Sequence, residues 1–241
     1  MCDAANLQQG EIVLEIGPGT GILTAEILKR GCNVIAVEAD LRAIDSLKET
    51  FNKEIENRQL VIHHHDARKL DMALFGLLDQ QFKVVSNIPY YISGLLFRQC
   101  LESDIQPTDL VFLVQKEVAE RIARDTKESI LSMSVKVFGD PSYICTVKRG
   151  HFTPPPAVDS AVVAVRTINK SRLQGIETEN FFELLHAAFG QKRKQLAGNW
   201  RNHFDKTLVG QTLADMQLDP KIRAEDLKVA EFVELVTKLQ G

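Results

Sequence analysis

Residues 12–21 have the sequence IVLEIGPGTG, in which a largely apolar run passes directly into a loop with three glycines. Apolar residues then recur at helical spacing from Leu23 to Arg30. Glycines permit a tight turn and let a ligand approach the backbone closely. The stretch therefore predicts a strand, a ligand-binding turn and a helix in direct succession.

Four further short apolar runs follow, and helix-like segments separate most of them. They are Asn33–Glu38, Leu60–His64, Phe82–Asn87 and Asp109–Gln115. Apolar strands without polar alternation indicate a parallel sheet that is covered on both faces. We therefore predict a doubly wound, Rossmann-like α/β fold, in which ligands bind beyond the carboxyl ends of the strands.

The later part of the chain changes character at about residue 169. Two strand-like runs, Tyr143–Lys148 and Val158–Arg166, flank the segment Gly150–Pro156, called the proline loop below, whose three consecutive prolines exclude helix. After Asn169 a polar stretch leads into segments with helical spacing. We predict a Rossmann-like domain over residues 1–168 and a small helical domain over residues 169–241.

Bulk composition excludes several classes of protein. The 241 residues are 44% hydrophobic, and no apolar run approaches the roughly 20 residues of a membrane span. The four cysteines have neither disulfide nor zinc spacing, which favours a reducing, cytoplasmic location. The net charge is −3, but residues 141–241 hold 14 Lys and Arg against 11 Asp and Glu. We therefore expect the second part of the chain to bind a polyanion. Separately, we expect the protein to be a monomer.

The glycine loop favours one class of cofactor. A dinucleotide-binding loop would have a small residue at position 22, where this chain has Ile22. S-adenosylmethionine fits the loop better. We assign cofactor contacts to the loop and its preceding acid, namely Glu15, Gly17, Gly19 and Gly21.

Acidic residues end the next two strands. Glu38 stands where a carboxylate can accept from the ribose hydroxyls of the cofactor. Asp66, followed by Ala67, is placed to accept from its adenine amine. The run from His63 to His65 suggests a metal, but neighbouring strand residues point to opposite faces, so we predict no metal site.

Asn87, Ile88, Pro89 and Tyr90 follow the fourth strand. An amide oxygen accepts from an exocyclic amine, while an aromatic ring stacks on a base. We predict that Asn87 and the Ile88–Pro89 segment hold an adenine amine, that Pro89 stiffens the loop and that Tyr90 stacks on the base. Phe152 of the proline loop is expected to close the other face, and Tyr91 is left open between stacking and packing.

Basic residues cluster in the second part of the chain. Within residues 186–206, five cations stand against one acid. We predict RNA contacts from Lys192, Arg193, Lys194 and Arg201 on a basic helix, extended by Lys116 and Arg121. A solvated helix face is the alternative, and the acids Glu117 and Glu120 weaken the extension.

These motifs resemble the KsgA family of small-subunit ribosomal RNA adenine dimethyltransferases over nearly the whole chain. The matching stretches, besides the glycine loop and residues 87–93, are residues 114–118 (VQKEV), 152–160 (FTPPPAVDS) and 188–194 (AFGQKRK). The resemblance implies a class I S-adenosylmethionine-dependent methyltransferase fold. It also implies dimethylation of two adjacent adenosines in a 3′-terminal hairpin loop of small-subunit RNA, within a pre-ribosomal small subunit.

Family members also carry an N-terminal segment that folds over the cofactor. The sequence begins at Met1-Cys2, within what resembles the interior of the family. We therefore expect a shortened chain with an open cofactor site and impaired catalysis.

Three alternatives stay open at the level of sequence. They are a related enzyme for large-subunit ribosomal RNA, a non-catalytic RNA-binding assembly or transcription factor of the same fold, and a small-molecule methyltransferase. The basic segment and the helical domain argue against the last of these.

Overall fold

The computed structural model describes residues 1–240, and these form two compact units. The first unit contains Met1–Glu120 and Asp140–Ile168. The second contains Arg121–Gly139 and the residues from Asn169 onward.

The first unit is built on a single seven-stranded sheet. Its strands are β1 (Ile12–Ile16), β2 (Asn33–Glu38), β3 (Leu60–His64), β4 (Phe82–Asn87), β5 (Asp109–Gln115), β6 (Asp140–Val147) and β7 (Ser160–Arg166). Their order is β3-β2-β1-β4-β5-β7-β6, with β1 to β5 parallel and β7 antiparallel to both β5 and β6. The predicted Rossmann-like α/β fold is confirmed.

Helices cover this sheet and connect its parallel strands. They are α1 (Ile22–Leu28), α2 (Leu41–Thr50), α3 (Asn52–Glu56), α4 (Ser93–Glu102) and α5 (Lys116–Ala123), of which α5 continues into the second unit. Burial explains the apolar runs of the strands, since Leu110–Val114 of β5 and Ala161–Val165 of β7 are buried without interruption. A side chain on either face of these strands therefore enters the core.

Strands β1 to β5 have the bounds that the sequence predicts, whereas β6 and β7 differ. Strand β6 begins at Asp140 rather than Tyr143 and includes Pro141, and β7 begins at Ser160 rather than Val158. Strand β6 is an edge strand that pairs with β7 alone. A proline is tolerated there because the outer side of an edge strand has no ladder hydrogen bond to lose.

Strands β1 and β4 separate at their carboxyl ends. Their ladder pairs Ile12–Leu14 with Phe82–Val84, after which the buried Ser86 hydroxyl accepts the Ile16 N–H at 2.7 Å. The chain order reverses at this pair, because β2 and β3 lie on one side and β4 and β5 on the other. Such a reversal is where doubly wound sheets form a ligand crevice.

The second unit is helical. Its helices are α6 (Ile130–Lys136), α7 (Thr178–Ala188), α8 (Leu196–Asn199), α9 (Lys206–Asp215) and α10 (Val229–Gln240). Trp200 is fully buried against Phe204 and Phe232, and its indole N–H donates to the Leu184 carbonyl at 2.9 Å.

Segment Arg121–Gly139, which the sequence-based division kept in the first domain, groups with the second unit. Its Phe138 ring lies 6.2 Å from the Phe182 ring of α7. The Arg172 guanidinium donates to the carbonyls of Lys136 and Gly139 at 2.7 and 2.9 Å. These tertiary contacts join α6 to segments that lie far along the chain.

No helix within residues 1–240 combines the length and apolar character that crossing a bilayer requires. Cys2, Cys32 and Cys100 are buried free thiols, and Cys145 is an exposed one.

Candidate active site

The three glycines after β1 all adopt left-handed backbone conformations, with φ of +66° at Gly17, +55° at Gly19 and +79° at Gly21. A Cβ at Gly21 would lie 2.6 Å from Cε2 of Phe51, so this glycine allows close packing of α1. A Cβ at Gly17 or Gly19 would meet nothing within 4 Å. The first two glycines therefore leave space beside the backbone that a ligand can fill.

Glu38 is tied to this loop through its carboxylate. Its Oε2 accepts the Gly19 N–H at 3.1 Å, and its Oε1 accepts the N–H groups of Ala39 and Asp40 at 2.8 and 3.0 Å. A carboxylate offers about four acceptor positions, so one remains. The backbone thus fixes an acid with spare acceptor capacity beside the glycine loop.

Glu15 is a buried acid under the same loop. Its side chain is 1% exposed and accepts the Thr24 hydroxyl at 2.7 Å. Burial raises the pKa of Glu15 to about 7, with a smaller contribution from the charge of Glu38 and an opposing one from the Thr24 hydrogen bond. The cleft beside β1 therefore has an acid that changes charge near neutral pH.

A cleft of about 490 Å³, called the cofactor cleft below, opens at the carboxyl ends of β1 and β4. Among its lining residues are four that the sequence predicts, Glu15, Gly17, Asn87 and Phe152. Residues that sequence reasoning missed also line it, including Thr20, Arg30 and His151.

Three residues at the start of the sequence also line the cofactor cleft. Met1, Cys2 and Asp3 all border it, and the Asp3 carboxylate lies 2.7 Å from the Arg30 guanidinium. Local sequence gave no signal for this pairing, because the partners stand 27 positions apart.

Asp66 and Ala67 follow β3 and are not among the residues that line the cofactor cleft. The Asp66 carboxylate accepts the backbone N–H of Arg68 at 2.9 Å and its guanidinium at 2.6 Å. These bonds lower the pKa of Asp66 to about 2. Its predicted contact with a cofactor adenine stays a prediction.

A second hollow of about 310 Å³, called the target-base hollow below, adjoins the end of β4. It is lined by the four residues from Asn87 to Tyr90 and by three of the proline loop, Phe152, Pro154 and Pro156. Asn87 and Phe152 also line the cofactor cleft. The two spaces therefore meet at one amide side chain and one aromatic ring.

The Tyr90 side chain is anchored at its far end. Its hydroxyl lies 2.5 Å from the hydroxyl of Ser160, a fully buried residue at the start of β7. Ser160 belongs to the stretch 152–160 that resembles the family, but nothing in the local sequence indicates this partner. Tyr91, by contrast, is 85% exposed, so it does not serve core packing.

The predicted RNA-binding residues are exposed or half-buried. Lys116 belongs to the first unit, where its ammonium lies 3.7 Å from Glu120. Arg121, Lys192, Arg193, Lys194 and Arg201 belong to the second unit and are exposed. The prediction that Lys192–Lys194 lie on a helix was wrong, because α7 ends at Ala188 and α8 begins at Leu196. The basic residues lie on a turn instead. The Gln191 carbonyl accepts the backbone N–H of Lys194 and the side-chain amide of Asn199.

The three consecutive histidines have different partners. The His63 and His65 rings both pack on Phe75, while ring nitrogens of His64 and His65 bond the carbonyls of Ala39 and Lys69. Within residues 1–240, no group of three or more His, Cys, Asp or Glu side chains is arranged to hold a metal ion.

Comparisons with known proteins agree with this architecture. The family model described as "Ribosomal RNA adenine dimethylase" matches residues 1–240. A Dehalococcoides mccartyi protein named "Ribosomal RNA small subunit methyltransferase A" is 38% identical over 99% of this chain and 82% of its own length. A Nostoc protein of the same name is 35% identical over 98% of this chain and 90% of its own length.

Two solved structures are similar over nearly the whole chain. A dimethyladenosine transferase from Plasmodium falciparum has a TM-score of 0.82 and 27% identity, covering 99% of this chain and 93% of that one. The 23S rRNA methyltransferase ErmE has a TM-score of 0.78 at 22% identity, covering 100% of this chain and 95% of that one, and supports the fold alone. The resemblance seen in the sequence is confirmed. The chain belongs to the ribosomal RNA adenine dimethylase family, whose members are methyltransferase enzymes that require a methyl donor and act on ribosomal RNA.

Proposed function

We propose that this protein transfers methyl groups from S-adenosylmethionine to the N6 amines of two adjacent adenosines. The target is a 3′-terminal hairpin loop of small-subunit ribosomal RNA within a pre-ribosomal small subunit. One observation carries the proposal: Asn87 and Phe152 line both the cofactor cleft and the target-base hollow. A donor and an acceptor bound in the two spaces would meet at these residues.

The cofactor cleft suits S-adenosylmethionine on three grounds. Its volume of about 490 Å³ is in the range of small-molecule sites. Gly17 and Gly19 leave open space beside the backbone, and Glu38, which bonds the Gly19 N–H without itself lining the cleft, keeps one acceptor position for a ribose hydroxyl. Glu15 supplies a carboxylate to the same cleft. When bound, S-adenosylmethionine would supply an electrophilic methyl group.

The target-base hollow suits an adenine that has left its stack. The Asn87 side-chain oxygen can accept one amine hydrogen, and a backbone carbonyl of Ile88 or Pro89 can accept the other. This pairing turns the nitrogen lone pair away from the two acceptors. Tyr90 and Phe152 both line the hollow, and stacking of an aromatic ring on a base contributes about 1–3 kcal/mol.

The residues of the hollow act by positioning rather than by proton abstraction. Asn87, Pro89, Tyr90 and Phe152 carry no carboxylate or imidazole, and a methylated amine can release its proton to solvent. Holding donor and acceptor in register is then the main source of rate. Pro89 contributes by fixing its own φ at −58°, which stiffens the segment that carries both acceptors.

The second unit is the proposed RNA-binding domain. Lys192, Arg193 and Lys194 stand exposed on one turn, with Arg201 exposed after α8. Exposed cations without a carboxylate in the same turn favour phosphate contact. We expect the protein to act as a cytoplasmic monomer on its pre-ribosomal target.

The experiment is a methyl map on both ribosomal RNAs. Purified protein, labelled S-adenosylmethionine and either immature small subunits or large-subunit RNA are incubated, and modified nucleosides are identified by mass spectrometry. The proposal predicts N6,N6-dimethyladenosine at two adjacent positions of the small-subunit hairpin. Methylation of large-subunit RNA instead would support an enzyme with that target. RNA binding without any methylation would support a non-catalytic factor.

A further inference from the structure

A third cavity lies in the first unit, outside both spaces described above. Its volume is about 570 Å³, and it is called the loop-base cavity here because residues on either side of the proline loop line it. Arg149 precedes the loop, and Ala157, Val158 and Asp159 follow it. Neither the cofactor cleft nor the target-base hollow includes any of these residues.

Asp159 holds this cavity together. Its carboxylate accepts the Arg149 N–H at 3.0 Å, and its carbonyl accepts the Lys116 N–H at 2.9 Å. The Arg149 guanidinium also donates to the Ala157 carbonyl at 3.4 Å. The two ends of the proline loop are therefore fastened to each other and to the start of α5.

The lining combines three kinds of chemistry. Lys116, whose ammonium lies 3.7 Å from Glu120, and Arg149 are cations, and oxygen acceptors come from Gln115, Glu117, Glu120 and Asp159. Val158, 45% exposed, provides an apolar surface. A simple anion would face the carboxylates, and a simple cation would face Lys116 and Arg149. A nucleotide matches the whole set, because its phosphate pairs with cations, its base edge with acceptors and its base face with an apolar side chain.

The loop-base cavity is continuous in sequence with the target-base hollow. Pro156 lines the hollow and Ala157 lines the cavity, and the Cα atoms of neighbouring residues are about 3.8 Å apart. Residues within the proline loop thus border the space proposed for the target adenine. The residues at the two ends of the loop border the cavity. An RNA strand with a base bound in the hollow would therefore have the cavity beside it.

We propose that the loop-base cavity binds a nucleotide that flanks the target adenosine in the same RNA strand. Lys116 and Arg149 contact its phosphate, and the acceptors and Val158 receive its base. The proposal rests on the proposed function, because it assigns a second subsite for the same RNA. It makes the proline loop a divider that keeps two successive nucleotides apart.

The test combines protein variants with altered RNA. Hairpin RNAs carrying an abasic site at each nucleotide flanking the target are compared with intact RNA, for RNA affinity and for kcat/KM of methyl transfer. The proteins are the wild type, Arg149→Ala, and Lys148→Ala as the matched control, since Lys148 is an exposed neighbouring cation that does not line the cavity. Ala157→Trp, which fills the cavity, serves as a second variant.

One abasic position is expected to weaken wild-type binding and kcat/KM about tenfold, and Arg149→Ala to weaken them about tenfold on intact RNA. Combined, the two changes should cost less than the sum of the single losses, because the base docks in the cavity only while Arg149 holds the phosphate of the same nucleotide. Lys148→Ala should keep the full abasic effect, and Ala157→Trp should abolish it. Cofactor affinity should stay unchanged in all variants.

If the losses from the abasic site and from Arg149→Ala add fully at every flanking position, the cavity does not bind a flanking nucleotide. The same conclusion follows if Ala157→Trp keeps the abasic effect. Neither result contradicts the proposed methyl transfer. Coupled binding losses in a protein that transfers no methyl group would instead support the cavity and refute the proposed function.

Discussion

The hydroxyls of Tyr90 and Ser160 lie 2.5 Å apart and join the segment after β4 to the start of β7. The residues stand 70 positions apart in sequence. Ser160 is fully buried, and Tyr90 lines the target-base hollow. The bond therefore fixes the hydroxyl end of the Tyr90 side chain to the core. The ring that we propose to stack on the base is therefore positioned by the strand that follows the proline loop.

Tyr90→Phe should keep the stacking ring but leave the buried Ser160 hydroxyl without this partner. We expect a loss of stability of about 1–3 kcal/mol, with methyl transfer reduced rather than abolished. Urea unfolding measures the first and kcat/KM on the hairpin RNA the second. In the double variant Tyr90→Phe/Ser160→Ala, the stability loss should be smaller than the sum of the single losses. Additive losses would show that the two hydroxyls do not interact.

Glu38→Ala should weaken S-adenosylmethionine binding by about 1.5–3 kcal/mol, because it removes a charge-assisted acceptor and the support of the Gly19 N–H. Calorimetric titration measures the affinity. Asp40→Ala is the matched control: the Asp40 carboxylate accepts from Arg42 at the start of α2 and, unlike that of Glu38, makes no bond to the glycine loop, so its loss should lower stability without lowering affinity. Unchanged affinity in Glu38→Ala would remove Glu38 from the cofactor site.

Glu15 predicts a dependence of stability on pH. An unfolded glutamate releases its proton near pH 4.5, whereas burial keeps Glu15 protonated to about pH 7 in the native state. The native state binds more protons in this window, so stability falls as the pH rises through it, by about 3 kcal/mol at most. Unfolding experiments at pH 5 and pH 8 should show this fall in the wild type and a smaller one in Glu15→Gln. Equal falls in the two proteins would show that Glu15 is not the titrating group.

Replacing Lys192, Arg193 and Lys194 together by alanine should weaken RNA binding and flatten its salt dependence. Each lost phosphate contact lowers the slope of log affinity against log salt by about 0.9 or less. The control replaces Lys221, Lys228 and Lys238 by alanine. These substitutions remove the same number of positive charges elsewhere in the second unit. A slope that falls equally in both triple variants would indicate general charge attraction rather than a specific contact turn.

The parallel part of the fold could be predicted because its signals are local. Short, largely apolar runs mark β1 to β5, and the left-handed backbone of Gly17 and Gly19 favours glycine. Placing Glu15 and Asn87 in one cleft also follows from strand ends, since carboxyl ends of parallel strands share an edge.

What the sequence missed depends on contacts between distant residues. The Tyr90–Ser160 and Ile16–Ser86 hydrogen bonds each span 70 positions and leave no periodic trace. The grouping of Arg121–Gly139 with the second unit likewise depends on Phe138 meeting Phe182. The basic segment was wrongly predicted as a helix, although Gly190 stands just after the end of α7.

The most direct test of the account measures methyl transfer and cofactor affinity together in Asn87→Ala. Asn87 lines both the cofactor cleft and the target-base hollow, and its proposed partner is the amine of the target adenine. In Asn87→Ala we predict a loss of methyl transfer of roughly a hundredfold or more, with S-adenosylmethionine affinity within a few-fold of wild type. The control is Asn52→Ala, at an exposed position at the start of α3, which should change neither. Equal loss of transfer and affinity, or transfer at the wild-type rate, would contradict the placement of the adenine amine at Asn87.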